Sequence, residues 1–203
     1  IRRQPRSTLF PYTTLFRSLL TSQCLEYQAL FDHNKPMSIR ENDNILCLDD
    51  LIESVMEPSD LDDVMNVERF SFNPPWTRTM FLDELSNSHS YCLTYRHSDQ
   101  LVAFMCFWII LDEAHLLNIA VSPNCRGRGI GTHMIKRLID ICKKKEAHRI
   151  ILDVARRNQA ARTLYRKAGF NSIGFRKRYY SSIEDDAIVM EKWIGNNLKK
   201  LSP

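Results

Sequence analysis

The sequence predicts an α/β protein with a mixed central sheet. Three observations carry that prediction. The patterned segments run in the order β-α-α-β-β-β-α-β-α-β-β, two of the strands form an antiparallel hairpin, and a chain of 203 residues that is 44% hydrophobic suits one compact domain with a substantial core.

Residues 51–56 read as the first strand. Ser59-Asp60-Leu61-Asp62 resembles a capping box and opens a helix running toward Phe70, which Pro74-Pro75 then breaks. Thr77 is placed to cap a second helix through Leu85. Residues 91–95 and 101–111 are strands joined by a short polar turn at 97–100, the hairpin noted above. The chain turns again near Asp112-Glu113-Ala114 into an apolar strand at 116–121. A glycine-rich loop follows, then a helix whose Met134, Ile135, Leu138, Ile141 and Cys142 share one face. Residues 149–154 are β-branched and apolar, as a buried central strand requires. Asn158 caps a helix expected to bury Ala161, Leu164 and Ala168 and to stop at Gly169, placed just past its end. Strands at 173–180 and 186–193 close the domain, expected to span 51–194, and a polar tail follows from 195 to 203.

The formal charge of +4 suggests nucleic acid until its distribution is seen. Arg2, Arg3, Arg6 and Arg17 lie within the first 18 residues, which hold no Asp, Glu or Lys. Setting those four aside leaves 24 of the 28 basic residues against 24 acidic ones, so no direct nucleic-acid partner is expected. Residues 8–18 look like the translation of a common short-read sequencing adapter, and 1–18 is excluded from the fold reading. Met37 is then a candidate start, and residues 19–50 are an extension without clear periodicity. The six cysteines form no C-x-x-C pair and no zinc-like cluster, which points to reduced thiols and no metal. The longest apolar run, at 101–111, is too short to span a bilayer, so a cytoplasmic protein with no membrane partner is expected.

The most informative segment is Arg126-Gly127-Arg128-Gly129-Ile130-Gly131, set between a strand and a helix. Three glycines spaced two apart free the backbone for positive φ and turn its N–H groups toward whatever meets the helix N-terminus, while Arg126 and Arg128 add charge for phosphate oxygens. The spacing is G-x-G-x-G and not the dinucleotide G-x-G-x-x-G, which disfavours a nicotinamide.

Arg126-x-x-Gly129-x-Gly131 fits the Q/R-x-x-G-x-G/A signature of the GNAT N-acetyltransferases. The segment 111–121, Asn158-Gln159-Ala160-Ala161, Leu164-Tyr165, Gly169-Phe170, Arg178-Tyr179-Tyr180 and 185–190 together resemble the bacterial RimI family, over roughly residues 52–193. That resemblance implies the GNAT fold, a mixed sheet of about seven strands with about four helices and acetyl-coenzyme A in the cleft between the fourth and fifth strands. It implies transfer of acetyl to the N-terminal alanine of a small-subunit ribosomal protein, or another basic peptide. Backbone groups of Ile119, Ala120 and Val121 are then expected on the pantetheine arm, Arg126, Gly127, Arg128, Gly129, Ile130, Gly131 and Thr132 on the pyrophosphate, and Asn158 on the cofactor as well as capping its helix. Tyr165 matches the general acid that protonates the departing thiolate. The family's general base is a glutamate on the strand after the cradle helix, and this chain has Asp153 there. Aspartate is shorter by about 1.5 Å, so proton abstraction calls for a relaying water. An N-terminal amine needs less help than a lysine, because with a pKa of about 7.7–8.0 it is roughly a quarter neutral near pH 7.4, against about one part in a thousand for lysine. By the same analogy the loop at 72–76 and Tyr179-Tyr180 flank the peptide cleft, and Glu184, Asp185 and Asp186 attract basic substrate residues. Two alternatives stay open: transfer to lysine or a small amine, and an acetyl-coenzyme A-binding module that has lost catalysis.

Overall fold

The structure, a computed structural model, describes residues 48–180 and 185–195, without the side chain of Tyr180; Glu184 and the extensions at 1–47 and 196–203 lie outside the described residues. Among the described residues seven strands form one sheet: β1 (Ile52–Val55), β2 (Ser90–His97), β3 (Gln100–Ile110), β4 (Glu113–Val121), β5 (Arg149–Ala155), β6 (Asn171–Tyr180) and β7 (Asp185–Trp193). Four α-helices accompany them among the described residues: α1 (Leu61–Arg69), α2 (Arg78–Leu85), α3 (Ile130–Lys144) and α4 (Gln159–Lys167). The element order is the expected one. In space the sheet runs β1-β2-β3-β4-β5-β7-β6, so the final hairpin inserts β7 beside β5 and leaves β6 at the edge.

Most neighbours are antiparallel; β4 and β5 are parallel. Their ladder runs only from Glu113↔Arg149 to Leu116↔Leu152, although β4 continues to Val121 and β5 to Ala155. Beyond Leu152, β5 keeps its pairing with β7 through Ala155↔Ala187. The two central strands therefore part at Leu116 and Leu152 and open a cleft in the middle of the sheet.

Each face of the sheet is covered by a different helix set. On one, Leu61, Val64 and Val67 of α1 and Phe81 of α2 pack with Cys92, Phe104, Cys106 and Ala120. Phe81 bridges Trp76 and Phe104, with ring centroids 5.2 and 5.5 Å away. α3 buries Ile130, Met134, Ile135, Leu138, Ile141 and Cys142, which adds Ile130 to the expected stripe. Each such side chain contributes about 1.5–3 kcal/mol, enough to hold the glycine loop's following helix rigidly in place.

Three expectations need correction. The capping box lies earlier than Ser59: Glu57 and Asp60 close it around a short 3-10 turn, and α1 starts at Leu61 with no side-chain cap of its own. β5 is not buried on both faces but alternates, with Ile150, Leu152 and Val154 inside and Arg149, Ile151 and Asp153 half-exposed. In α4, Ala161, Leu164 and Ala168 are half-buried and Tyr165 is the buried anchor, its ring 5.8 Å from that of Phe170. Thr77 and Asn158 cap as expected, accepting from the amides of Met80 and Ala161.

Candidate functional site

The glycine loop ends in the N-terminus of α3, where Gly127 and Gly129 adopt φ of 77° and 87°. Both values lie in the left-handed region, where a side chain costs about 1–2 kcal/mol. Gly131 plays another part: it is helical, and a Cβ there would sit 3.2 Å from Leu164 Cδ2, so its smallness lets α4 pack against α3. No side chain caps Gly129. The first intrahelical bond runs from the His133 amide to the Gly129 carbonyl, which leaves the amides of Ile130, Gly131 and Thr132 directed out of the helix end. An uncapped N-terminus carries about half a positive charge and suits an anion.

Arg126 does not reach out from this cradle. Its Nε donates to the Val121 carbonyl at 2.9 Å and its guanidinium to Ser71 Oγ at 3.1 Å, tying the loop to the end of β4 and to the segment after α1. Arg128 is exposed. Ile119, Ala120 and Val121 form the part of β4 beyond the parting point, where alternate backbone groups face the cleft and no longer the β5 ladder. The Asn158 side chain serves as helix cap and is otherwise exposed.

Asp153 is the first β5 residue past the last β4–β5 pair, so it stands at the fork of the cleft. Its Oδ1 lies 3.1 Å from Arg176 Nε on β6, and Arg176 in turn sits over the Tyr179 ring at 5.8 Å. Burial pushes the Tyr179 hydroxyl up, and the Asp153 charge adds to that. Tyr165 follows Leu164, which places it on the helix that touches the cradle, and burial raises its pKa so that it stays protonated at neutral pH.

The parting of β4 also carries a polar group in the core. Glu68 of α1 is 0% exposed; it accepts from the Trp76 amide at 2.6 Å and from Asn118 Nδ2 at 3.2 Å. Burial raises its pKa to about 6, against the lowering effect of those two hydrogen bonds. The partner oxygen, Asn118 Oδ1, is buried without a hydrogen-bond partner. Through these contacts one carboxylate ties α1, the 72–76 loop and β4 together.

Asp185 and Asp186 are committed within the chain, which corrects their assignment to substrate attraction. Asp185 is buried and accepts from the Arg157 amide at 2.9 Å, while Asp186 accepts from the Arg178 amide at 2.8 Å and pairs with Arg156 at 3.7 Å. Sequence reading overlooked Glu68, Asn118, His115 and Arg176. Glu68 had a signal: it sits seven residues after Leu61 and four after Val64, on the helix stripe that should be apolar.

Among the described residues no group of His, Cys, Asp and Glu is arranged to hold a metal ion, and no helix is long and apolar enough to cross a membrane. The free cysteines among them are Cys92, Cys106, Cys125 and Cys142.

Comparison with known proteins agrees with this fold. The model of the acetyltransferase (GNAT) family matches residues 61–170. A relative from Bacillus subtilis (strain 168) is 35% identical over 143 residues, which cover 70% of this chain and 93% of that protein. The ribosomal protein bS18-alanine N-acetyltransferase of Escherichia coli (strain K12) is 33% identical over 141 residues, covering 68% and 93%. The crystal structure of the ribosomal-protein-S18-alanine N-acetyltransferase from Escherichia coli superposes with a TM-score of 0.67 at 28% identity, covering 75% of this chain and 99% of that one.

Proposed function

The chain belongs to the GNAT acetyltransferase family, and from that premise we propose that it transfers acetyl from acetyl-coenzyme A to the N-terminal alanine of a basic protein, a ribosomal protein such as bS18 being the natural candidate. The single observation that carries this reading is the parting of β4 and β5 beside the uncapped N-terminus of α3. The thioester supplies an activated acetyl group; everything else comes from the chain.

Amides at the start of α3, Gly127 to Thr132, receive the pyrophosphate, and the cradle has room for it: a Cβ added at Gly127 would meet nothing within 4 Å. The strand edge at Ile119, Ala120 and Val121 offers backbone donors and acceptors to an extended arm, and donors there are suited to a developing oxyanion. Asp153, at the fork, orients the attacking amine directly or through water, and Tyr165 holds the proton that the sulfur takes as it leaves. Cofactor contacts by Arg128 and Asn158 belong to the same reading, with Arg126 bracing the loop from behind.

The test is coenzyme A release from acetyl-coenzyme A in the presence of a short basic peptide beginning with free alanine, beside the same peptide with a blocked N-terminus. Release with the free alanine only supports the reading; equal release with both sinks it in favour of side-chain transfer or hydrolysis. The Asp153–Arg176 ion pair favours a second reading, an acetyl-coenzyme A-binding module without turnover. Silence in the assay despite cofactor binding, with activity appearing in Asp153→Glu, is its expected signature.

A further inference from the structure

The shortened side chain at Asp153 raises the question of where the amine proton goes, and the strand register supplies a partner. His115 of β4 is opposite Ile151 of β5, so the two share a face of the sheet. Asp153, two residues beyond Ile151, shares that face as well. Strands lie about 4.8 Å apart and two residues rise about 6.6 Å, so the two Cβ atoms are about 8 Å or more apart at the fork, a separation that an imidazole, a carboxylate and one water span. The two side chains flank the last β4–β5 pair, Leu116↔Leu152, at the fork of the cleft.

We propose that His115 is the group that takes up the amine proton, with Asp153 holding the bridging water and Glu113 steadying the imidazolium that forms. The inference rests on the transferase reading above. Three observations support it. Asp153 is short by one carbon–carbon bond and has Oδ1 engaged by Arg176 Nε at 3.1 Å. His115 is only 12% exposed at its side chain, with Nε2 3.6 Å from Glu113 Oε2. Burial lowers the His115 pKa, and Arg149 adds to that, while Glu113 and Asp153 oppose it, so the ring is neutral and able to accept at neutral pH. An imidazole, ordinarily about 6.5, also matches an α-amine of about 7.7–8.0 more closely than an aspartate of about 3.9 does.

The amine lone pair forms the nitrogen–carbon bond and the carbon–sulfur bond breaks. The amine proton passes through the water to His115, and Tyr165 gives its proton to the sulfur. The imidazolium and the tyrosinate then return to their starting forms by exchange with solvent, so that the net change moves one proton from nitrogen to sulfur. The charged and titratable groups around His115 are Glu113 on its own strand, Arg149 and Asp153 on β5, Glu191 on β7 paired with Arg149, Arg176 and Tyr179 on β6, and Glu84 of α2, bonded to the Trp108 that faces His115 across β3.

The experiment is the pH dependence of kcat/KM of the full chain with acetyl-coenzyme A and the alanine-first basic peptide, for the wild type and His115→Gln. For the wild type, log kcat/KM is expected to approach a slope of two below about pH 6.5, since substrate amine and imidazole must both be neutral. For His115→Gln the slope stays at one, kcat falls about 100-fold or more, and acetyl-coenzyme A affinity is unchanged. Recovery of His115→Ala by added imidazole, in proportion to its concentration, separates proton transfer from packing. Parallel profiles with kcat within about threefold, or no imidazole rescue in a folded variant, overturn the assignment and leave the transferase reading intact. A wild type silent toward every free-amine peptide overturns that reading and this inference together.

Discussion

Glu68→Gln gives a stringent test of the polar core, because the structure supplies both sign and size. In the folded chain the carboxyl rises from its ordinary 4.5 to about 6, chiefly through burial. A raised carboxyl means that the folded state binds the proton more tightly than the unfolded one. Its contribution therefore favours folding at and below about pH 4.5, weakens as pH climbs from there through about 6, and is flat above. The difference amounts to about 2 kcal/mol. Glutamine removes the charge yet still accepts from the Trp76 amide, and its NH2, in place of the oxygen that accepts from Asn118 Nδ2, meets Asn118 Oδ1 once that amide turns over. Glu68→Gln is thus expected to stabilise the chain by about 1–2 kcal/mol at pH 8, about 2–8 °C in Tm, and to flatten the dependence between pH 4.5 and 6.5. Glu68→Ala abandons two buried donors and should lose about 2–6 kcal/mol. Thermal unfolding of the three proteins from pH 4.5 to 8.5 measures all of this. A Glu68→Gln protein less stable than wild type at pH 8, or one with an undiminished pH dependence, would refute the reasoning and mean that the ionised carboxylate is itself a net stabiliser.

Gly129→Ala places a Cβ at φ 87° and 3.2 Å from Leu48 Cδ1, whereas Gly127→Ala has φ 77° and open space; both should lose about 1–2 kcal/mol of stability by denaturant titration, with Gly129→Ala the worse. Acetyl-coenzyme A affinity by calorimetry should fall at least about tenfold in each, and unchanged affinity would remove the cradle from the site. Tyr165→Phe keeps the packing on Phe170 and removes the protonated hydroxyl, so kcat is expected to fall about 100-fold or more at constant acetyl-coenzyme A affinity. Leu111 is 85% exposed with φ 54° in the β3–β4 turn, and Leu111→Gly should raise stability by about 1 kcal/mol, read as a shift of the urea midpoint at constant slope. Arg176→Met should change kcat/KM for the peptide while leaving acetyl-coenzyme A affinity within about twofold, because its contacts are with Asp153 and Tyr179 on the acceptor side.

What could be read from the sequence is what depends on short-range geometry. Thr77 and Asn158 bond amides three residues ahead, so their caps are visible in a tetrapeptide. Gly127 and Gly129 announce left-handed backbone by having no side chain, although the same logic misjudges Gly131, whose smallness serves a contact with a helix about thirty residues on. The cap of α1 escaped because Glu57, outside the usual cap residues, closes the box with Asp60. The Asp153–Arg176 pair was invisible for a larger reason: it requires β7 to enter between β5 and β6, and no periodicity states strand order.

That division has a mechanistic side. The donor half of the proposed site is made from backbone: helix amides, glycines and a strand edge freed where the β4–β5 ladder stops at Leu116 and Leu152. Such groups recur wherever the local fold recurs, which is why the loop at 126–131 alone points to the nucleotide-bearing substrate. In the proposed site the acceptor half is made from side chains on separate elements, Glu68 with Asn118, Glu113 with Arg149, and Asp153 with Arg176. Each pair exists only through the register of the whole sheet and its helices, so each can change without disturbing the cradle. A departure such as Asp153 is therefore tolerable on the acceptor side, where a neighbouring strand can present another group at the same fork, and it is costlier at Gly129, where any side chain meets both the left-handed backbone and Leu48.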